Sequence, residues 1–402
     1  MSGWQLPYQS SDLATRSYAA IALYILGLFL GKRLLRRRLR GLNYLTFFTP
    51  ALSISTKSVV LLVVATFRLR LLIRFKYGMF FSGDHTLDRV LSLPYALVVA
   101  QMVAAFMEVA AQVWAAATLA VDAGLKRKLC ALMVLLIELF VAFIQGRRWI
   151  FGLGLLFALC TVMFNSRCRA FSLRKKIIAF GFMAVCIGLL PIFSSLRQTY
   201  QSDHGRGNPI NRLMSSADTL SGHTSWQSSL TENDENMAVR LDYIAPIADL
   251  ITTQRYMPYM YGWATLYSIL YSFPRAIYPS KSVIPKTMVA LHYNTMYTDW
   301  SNTMVAYGVA DWGLAGAFLI GAMLSFFMGL SEVWLMRSFR GPKLVAVAAA
   351  GNLFYMAYNI ESDPSCLWNF LKILAVLFCA WKALSLLKTR TIRNTLNTEA
   401  RR

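Results

Sequence analysis

Eight apolar runs, several of them closed by clusters of arginine and lysine, constrain this chain more than any other feature. They occupy residues 17–31, 91–120, 129–145, 149–164, 177–194, 308–330, 344–358 and 367–387. A helix needs about 20 apolar residues to cross a hydrocarbon layer of about 30 Å. No water reaches backbone N–H and C=O groups in lipid, so each crossing run is expected to be helical. Residues 42–67 form a ninth, weaker run, interrupted by Pro50 and Lys57. Composition agrees, because 56% hydrophobic and 15% charged residues with a mean hydropathy of +0.46 exclude an ordinary soluble domain. The expected fold class is all-α: a polytopic helical integral membrane protein with one large extracytoplasmic insertion containing short helices.

The formal net charge of +22 raises nucleic-acid binding as a function, but the distribution of charge argues against it. Residues 197–307 carry 8 basic and 8 acidic residues, leaving 33 of the 41 basic and 11 of the 19 acidic residues elsewhere. The surplus lies beside the apolar runs, at Lys32–Arg40, Lys126-Arg-Lys128, 167–176, 337–343 and 388–402. Lys and Arg concentrate on cytoplasmic flanks, so these five segments are expected inside. Alternation then places the N-terminus, Gly146-Arg-Arg148, the long polar stretch and residues 361–364 outside. One segment disobeys: Arg68, Arg70, Arg74 and Lys76 would lie outside if residues 42–67 cross. Either that run is a kinked span with a basic outer collar, or it does not cross. Three regions result: membrane helices over 1–195, an extracytoplasmic loop over 196–307, and membrane helices with a basic tail over 308–402.

The loop is not linker-like. It holds Arg255-Tyr-Met-Pro-Tyr-Met-Tyr-Gly-Trp263 and Tyr271-Ser-Phe-Pro-Arg-Ala-Ile-Tyr-Pro-Ser-Lys281, whereas disordered linkers are poor in aromatics. Tyr261, Trp263 and their aromatic neighbours fit either stacking on sugar rings or floating the loop on the membrane interface. The helical spacing of Val239, Tyr243, Ile247 and Leu250 predicts an amphipathic helix over 237–253. None of the six cysteines falls in the loop, and no Cys/His spacing points to a metal site. Residues 17–31 read as a retained anchor instead of a signal peptide, because their basic cluster follows the apolar run. No internal repeat of the transporter kind is visible. Glu108 and Glu138 are intramembrane acids; with no matching basic residue in mid-span they read as inter-helix hydrogen-bonding groups. Arg147 and Arg148, at the outer start of a run, fit either bidentate binding of an anion or anchoring to lipid headgroups.

The order of these motifs resembles a known family. Gly146-Arg-Arg, an apolar run, Arg167-Cys-Arg169 with Arg174-Lys-Lys176, and a further run ending in Ser-Leu-Arg197 look like the middle of bacterial Wzy-type repeat-unit polymerases of O-antigen and exopolysaccharide. Tyr259-Met-Tyr-Gly262, Phe273-Pro-Arg-Ala-Ile-Tyr-Pro-Ser-Lys281 and the Gly-Val-Ala-Asp-Trp-Gly core of 302–316 resemble that family's periplasmic loop and the span after it. The likeness covers about 146–330. It departs from the family at Arg147, where Ser is usual, and at Ser282, where Pro often follows the lysine.

The resemblance implies a multi-pass protein of the bacterial cytoplasmic membrane that moves a glycan from one polyprenyl diphosphate onto another lipid-linked repeat unit. It implies no cofactor and no metal. Its partners would be polyprenyl-diphosphate-linked oligosaccharides, membrane lipids, and a chain-length regulator or flippase of the same pathway, with no nucleic acid. Such an enzyme must neutralise the leaving diphosphate and remove a proton from the acceptor hydroxyl. For the diphosphate and glycan the candidates are Arg147, Arg148, Arg197, Arg240, Arg255, Arg275, Lys281 and Lys286, with Tyr261 and Trp263; Arg275 stands first, stiffened by flanking prolines. For the proton the candidates are His292, Asp242, Asp299 and Asp311, with histidine best suited by its ordinary pKa. Asp311, heading an apolar run, fits helix N-terminal stabilisation as well as substrate contact. A ligase that moves finished glycan is the alternative within the same enzyme class. A flippase is the alternative outside it, although one dominant outer loop favours chemistry over passage.

Overall fold

The computed structural model describes residues 11–35, 50–77, 94–121, 123–145, 154–158, 160–161, 177, 180–185, 244–273, 278, 285–294, 303–337, 342–358 and 364–399. All regular elements among them are helices: α1 (Ser11–Leu34), α2 (Thr56–Tyr77), α3 (Tyr95–Ala120), α4 (Leu125–Gln145), α5 (Ile244–Thr253), α6 (Trp263–Tyr271), α7 (Pro285–Tyr293), α8 (Met304–Arg337), α9 (Lys343–Tyr358) and α10 (Pro364–Glu399). Four are long and apolar enough to cross a bilayer, over Asp12–Leu34, Ala96–Ala120, Met304–Leu335 and Pro364–Ala383. The chain is a helical membrane protein. Only residues 154–158 and 160–161 of the run 149–164, and 177 and 180–185 of the run 177–194, lie among the described residues, all of them helical. In the loop, the expected helix over 237–253 is described from Ile244, with Pro246 in its first turn, where proline is tolerated.

Two packing units form the interior. In the first, α1 and the long part of α8 lie in parallel with their backbones in contact. A β-carbon at Gly27 would overlap the carbonyl oxygen of Phe318, one at Gly31 that of Ala322, and one at Gly321 that of Tyr24. Gly27 and Gly31 form the small-xxx-small spacing that lets membrane helices approach closely. Lys32 acts electrostatically on Glu332 at the far end, which confirms the parallel sense. Helix α10 runs the same way, with Trp334 of α8 facing Phe378 at 6.5 Å.

The second unit packs α2, α3, α4 and α9 around fully buried Trp114. Here the structure corrects the ninth run. The helix is 56–77, not 42–67, and Pro50 belongs to a separate turn before it. Trp114 Nε1 donates to the Ile54 carbonyl, while Ile73 packs with Leu97 and Val98, so α2 and α3 are antiparallel. Arg127 at the start of α4 donates to the carbonyls of Leu52 and Ile54 and lies over the Trp114 ring. Arg70 is therefore inside the helix pack and not on an outer collar, and it forms a 2.6 Å ion pair with Glu108. The expectation that no basic residue matches the intramembrane acids is corrected by the same contact.

The glycine seam gives a direct test. Gly27→Ala and Gly31→Ala should each destabilise the purified protein by about 1–3 kcal/mol, the usual cost of overpacking. Gly124→Ala, where an added β-carbon meets nothing within 4 Å, should be near neutral in the same thermal melts.

Candidate functional site

Helix α8 is broken near its start. Trp312 (φ −146°, ψ 27°) and Gly313 (φ 60°, ψ −142°) leave helical geometry, and the chain folds back sharply enough for the backbones of Gly308 and Gly316 to touch. In a straight helix those two residues would be about 12 Å apart. The run 308–330, expected as one uninterrupted span, is thus a short arm over 304–311 followed by the long helix. Gly313 permits this because its positive φ disfavours any residue with a β-carbon.

The break frees carbonyls that would otherwise bond along the helix, and the loop supplies their donors. Gln254 Nε2 donates to Val309 O at 2.5 Å, and Met260 N and Tyr293 OH donate to Ala310 O at 3.0 and 2.6 Å. Tyr261 N donates to Asp311 O at 3.0 Å. Asp311 completes the joint. Its carboxylate is fully buried and accepts from Ala264 N (2.8 Å), Thr265 N (3.0 Å) and Thr265 Oγ1 (2.6 Å). These are first-turn amides of α6, which otherwise lack helical partners. Asp311 is thus an N-terminal cap, but for α6 and not for its own helix. Burial pushes the Tyr293 phenol up to about 12, so it remains a donor at any working pH.

Further contacts hold the loop at both sides. Ile247, Ala248 and Leu250 of α5 are buried in one cluster with Leu13 and Ala20 of α1. Lys372 of α10 donates to the Ser272 carbonyl at the end of α6 and lies over the Phe273 ring, which packs on Trp368 at 5.5 Å.

An aromatic surface covers this joint. Tyr256, Tyr259, Tyr261, Trp263 and Trp312 are all exposed, Tyr256 by 84% and Tyr261 by 70%. The Trp312 ring lies against Gly262 and the Tyr259 ring against Gly313. Tyr261 (φ 49°) and Gly262 (φ 91°) are consecutive left-handed residues, a strained conformation for tyrosine that its bond to Asp311 O over-determines. Beside them, His292 Nε2 lies 3.0 Å from the Pro258 carbonyl. A carbonyl only accepts, so Nε2 carries the proton, and Nδ1 is the basic nitrogen of the neutral ring. The ring meets Tyr293 edge-on at 4.7 Å.

The structure therefore brings His292, Asp311, Tyr261 and Trp263 into one joint. Arg255 stands apart: it is exposed and 3.8 Å from Asp12, which also pairs with Arg16. Arg147, Arg148, Arg197, Arg240, Arg275, Lys281, Asp242 and Asp299 lie outside the described residues; Lys286 is placed in α7 by its backbone only. Sequence reasoning passed over Asp249. Its Oδ2 is buried with no hydrogen-bond partner among the described residues, and burial pushes its carboxyl up. The available signal was an acid inside the apolar stretch Ile247-Ala-Asp-Leu-Ile251.

Fold and site together define a helical membrane protein whose broken helix carries an exposed aromatic surface beside a histidine. No family model, curated protein or solved structure matches this chain.

The cap can be tested by substitution. Asp311→Ala leaves two backbone amides and a hydroxyl without an acceptor and should destabilise by about 1–3 kcal/mol per orphaned group. Asp311→Asn keeps one acceptor oxygen and should lose less. Limited proteolysis between α5 and α6, read beside thermal melts, should rank the two in that order.

Proposed function

We propose that this chain is a glycan polymerase of the bacterial cytoplasmic membrane, transferring polyprenyl-diphosphate-linked glycan onto a second lipid-linked unit at the outer face. The observation that carries the reading is the exposed aromatic surface around Tyr261 and Trp263, mounted with His292 on a hydrogen-bonded joint. Sugar rings stack on such faces. A fixed mount supplies the positioning that a two-substrate transfer needs. The outer placement has its own support. Helices α1, α8 and α10 all begin at the loop, and Lys32, Arg33, Arg337 and the basic residues after 388 mark their opposite ends. That is the charge asymmetry of helices running from outside to inside.

In this reading His292 Nδ1 takes the proton from the acceptor hydroxyl. Asp311 acts as a positioning residue, because its buried carboxylate is occupied by α6. The aromatic face holds glycan. Arginines of the kind exemplified by Arg275, with Arg147 and Arg148, neutralise the diphosphate as it leaves. The groove between α8 and α10, about 450 Å³ and lined by Phe327, Leu330, Trp334, Leu371, Leu374 and Phe378, has the apolar character an isoprenoid tail requires.

Analysis of lipid-linked saccharides in a deletion strain tests this reading. Loss of long chains, with single repeat units still displayed outside, supports a polymerase. Full-length polymer accumulating on lipid would make the protein a ligase, and substrate trapped inside would make it a flippase. Complementation with His292→Ala should lower chain extension by about 10² to 10⁴, the usual cost of a missing general base. A loss below about threefold, well short of that range, would move the proton to Asp249, Asp242 or Asp299.

A further inference from the structure

Helix α6 is held at both ends by charged side chains from two different membrane helices. At its start the Asp311 carboxylate of α8 accepts from Ala264 N and Thr265 N. At its end Lys372 of α10 donates to the Ser272 carbonyl at 2.5 Å. The last turn closes on itself there: Ser272 N and Oγ both donate to Ile269 O, and Phe273 N donates to Leu270 O. The two charges suit the helix dipole, with a carboxylate at the amino end and an ammonium at the carboxyl end.

Lys372 stands eight residues after Pro364, about 12 Å along α10, inside an apolar span. A lysine at such depth is costly and needs a reason. Helix side chains lean toward the amino end, which for α10 is the end at the loop, so the long stem carries the ammonium back toward α6. Trp368, one turn earlier, packs on Phe273 at 5.5 Å, and Lys372 lies over the same ring at 5.7 Å. Two successive turns of α10 therefore grip residues 272 and 273.

We propose that Lys372 is a positioning residue for the aromatic surface: with Asp311 it clamps α6 between α8 and α10 and so sets where Trp263 stands. Resting on the reading of that surface as the glycan-binding face, loss of the clamp also slows transfer. The geometry of α6 carries the proposal. Its nine residues make it about 13 Å long, and a short hydrogen-bonded helix moves as one body. Trp263 is its first residue, directly after the left-handed pair Tyr261 and Gly262. Trp263 packs on Tyr267 at 6.0 Å and Tyr267 on Tyr271 at 6.2 Å, so side chains as well as backbone join the exposed end to the clamped one. A shift at Ser272 thus reaches Trp263. Lys372 acts through α6 and not on the substrate.

Fluorine NMR of the full-length protein, labelled with fluorotryptophan and held in lipid nanodiscs, reads Trp263 without any substrate. Trp263→Phe, Trp368→Phe and Trp114→Phe assign the resonances needed. Lys372→Met keeps an apolar stem and removes the donor. It should shift both Trp368 and Trp263, and leave Trp114 of the other packing unit in place. Lys372→Arg should restore both, since a guanidinium also donates to a carbonyl. In assays with a lipid-linked repeat unit, kcat/KM should fall about 10²-fold in Lys372→Met, as a small misplacement costs, and recover in Lys372→Arg. Should Lys372→Met fail to fold, Asp311→Asn decides from the opposite end, because loosening the start of α6 should shift Trp368. A Trp263 resonance unmoved in Lys372→Met, no recovery in Lys372→Arg, or a Trp368 resonance unmoved in Asp311→Asn would overturn the proposal. The expected shifts in a protein that transfers no glycan would overturn the functional reading and leave the clamp standing.

Discussion

The break in α8 at Trp312–Gly313 is the feature on which the rest of the site depends. A broken helix inside an apolar pack leaves carbonyls that cannot turn to water, and each needs a donor. Gln254, Met260, Tyr261 and Tyr293 supply those donors to Val309, Ala310 and Asp311. The same break turns the Asp311 carboxylate onto α6. Membrane helix and residues 254–265 and 293 of the loop therefore satisfy each other: the break is stable because these residues are docked, and they are held because the break offers them acceptors. The strained Tyr261–Gly262 turn and the aromatic face around it follow from this exchange.

The mount needs a firm base, and backbone contact between α1 and α8 provides it. Lipid is as apolar as a leucine side chain, so membrane helices gain little by hiding leucines from it and much by close approach. The glycines at 27, 31 and 321 permit that approach, and α5 rests on the start of α1 just above it. The other unit of the bundle relies on polar contacts. Arg127 closes the turn before α2, Asn352 donates to the Phe106 carbonyl, and Arg70 pairs with Glu108.

Local features of this architecture were legible in the sequence, and contacts made over long separations were not. The runs that became α1, α3, α4, α9 and α10 are visible because burial in lipid demands continuous apolarity. The aromatic density of Arg255–Trp263 set that segment apart from a linker, and the structure holds it against α8. The break in α8 was hidden, since Gly-Leu-Ala-Gly316 inside an apolar run reads as an ordinary small-residue span. Asp311 stood out as a carboxylate in need of a reason, but its partners at Ala264 and Thr265 lie 47 and 46 residues away. Arg70 misled in the same manner: alone it looks like a misplaced flank, and only Glu108 on another helix explains it. His292 was flagged for its chemistry, whereas its hydrogen bond to Pro258, 34 residues distant, is invisible to local patterning.

Hydrogen–deuterium exchange of the protein in nanodiscs, resolved to short peptides, tests the central claim that the loop is locked to the broken helix. The amides of Met260, Tyr261, Ala264 and Thr265 are hydrogen-bonded to Ala310 or Asp311 and should exchange as slowly as those inside α8. Exchange at these four positions as fast as in an open loop, with α8 itself still protected, would contradict the account.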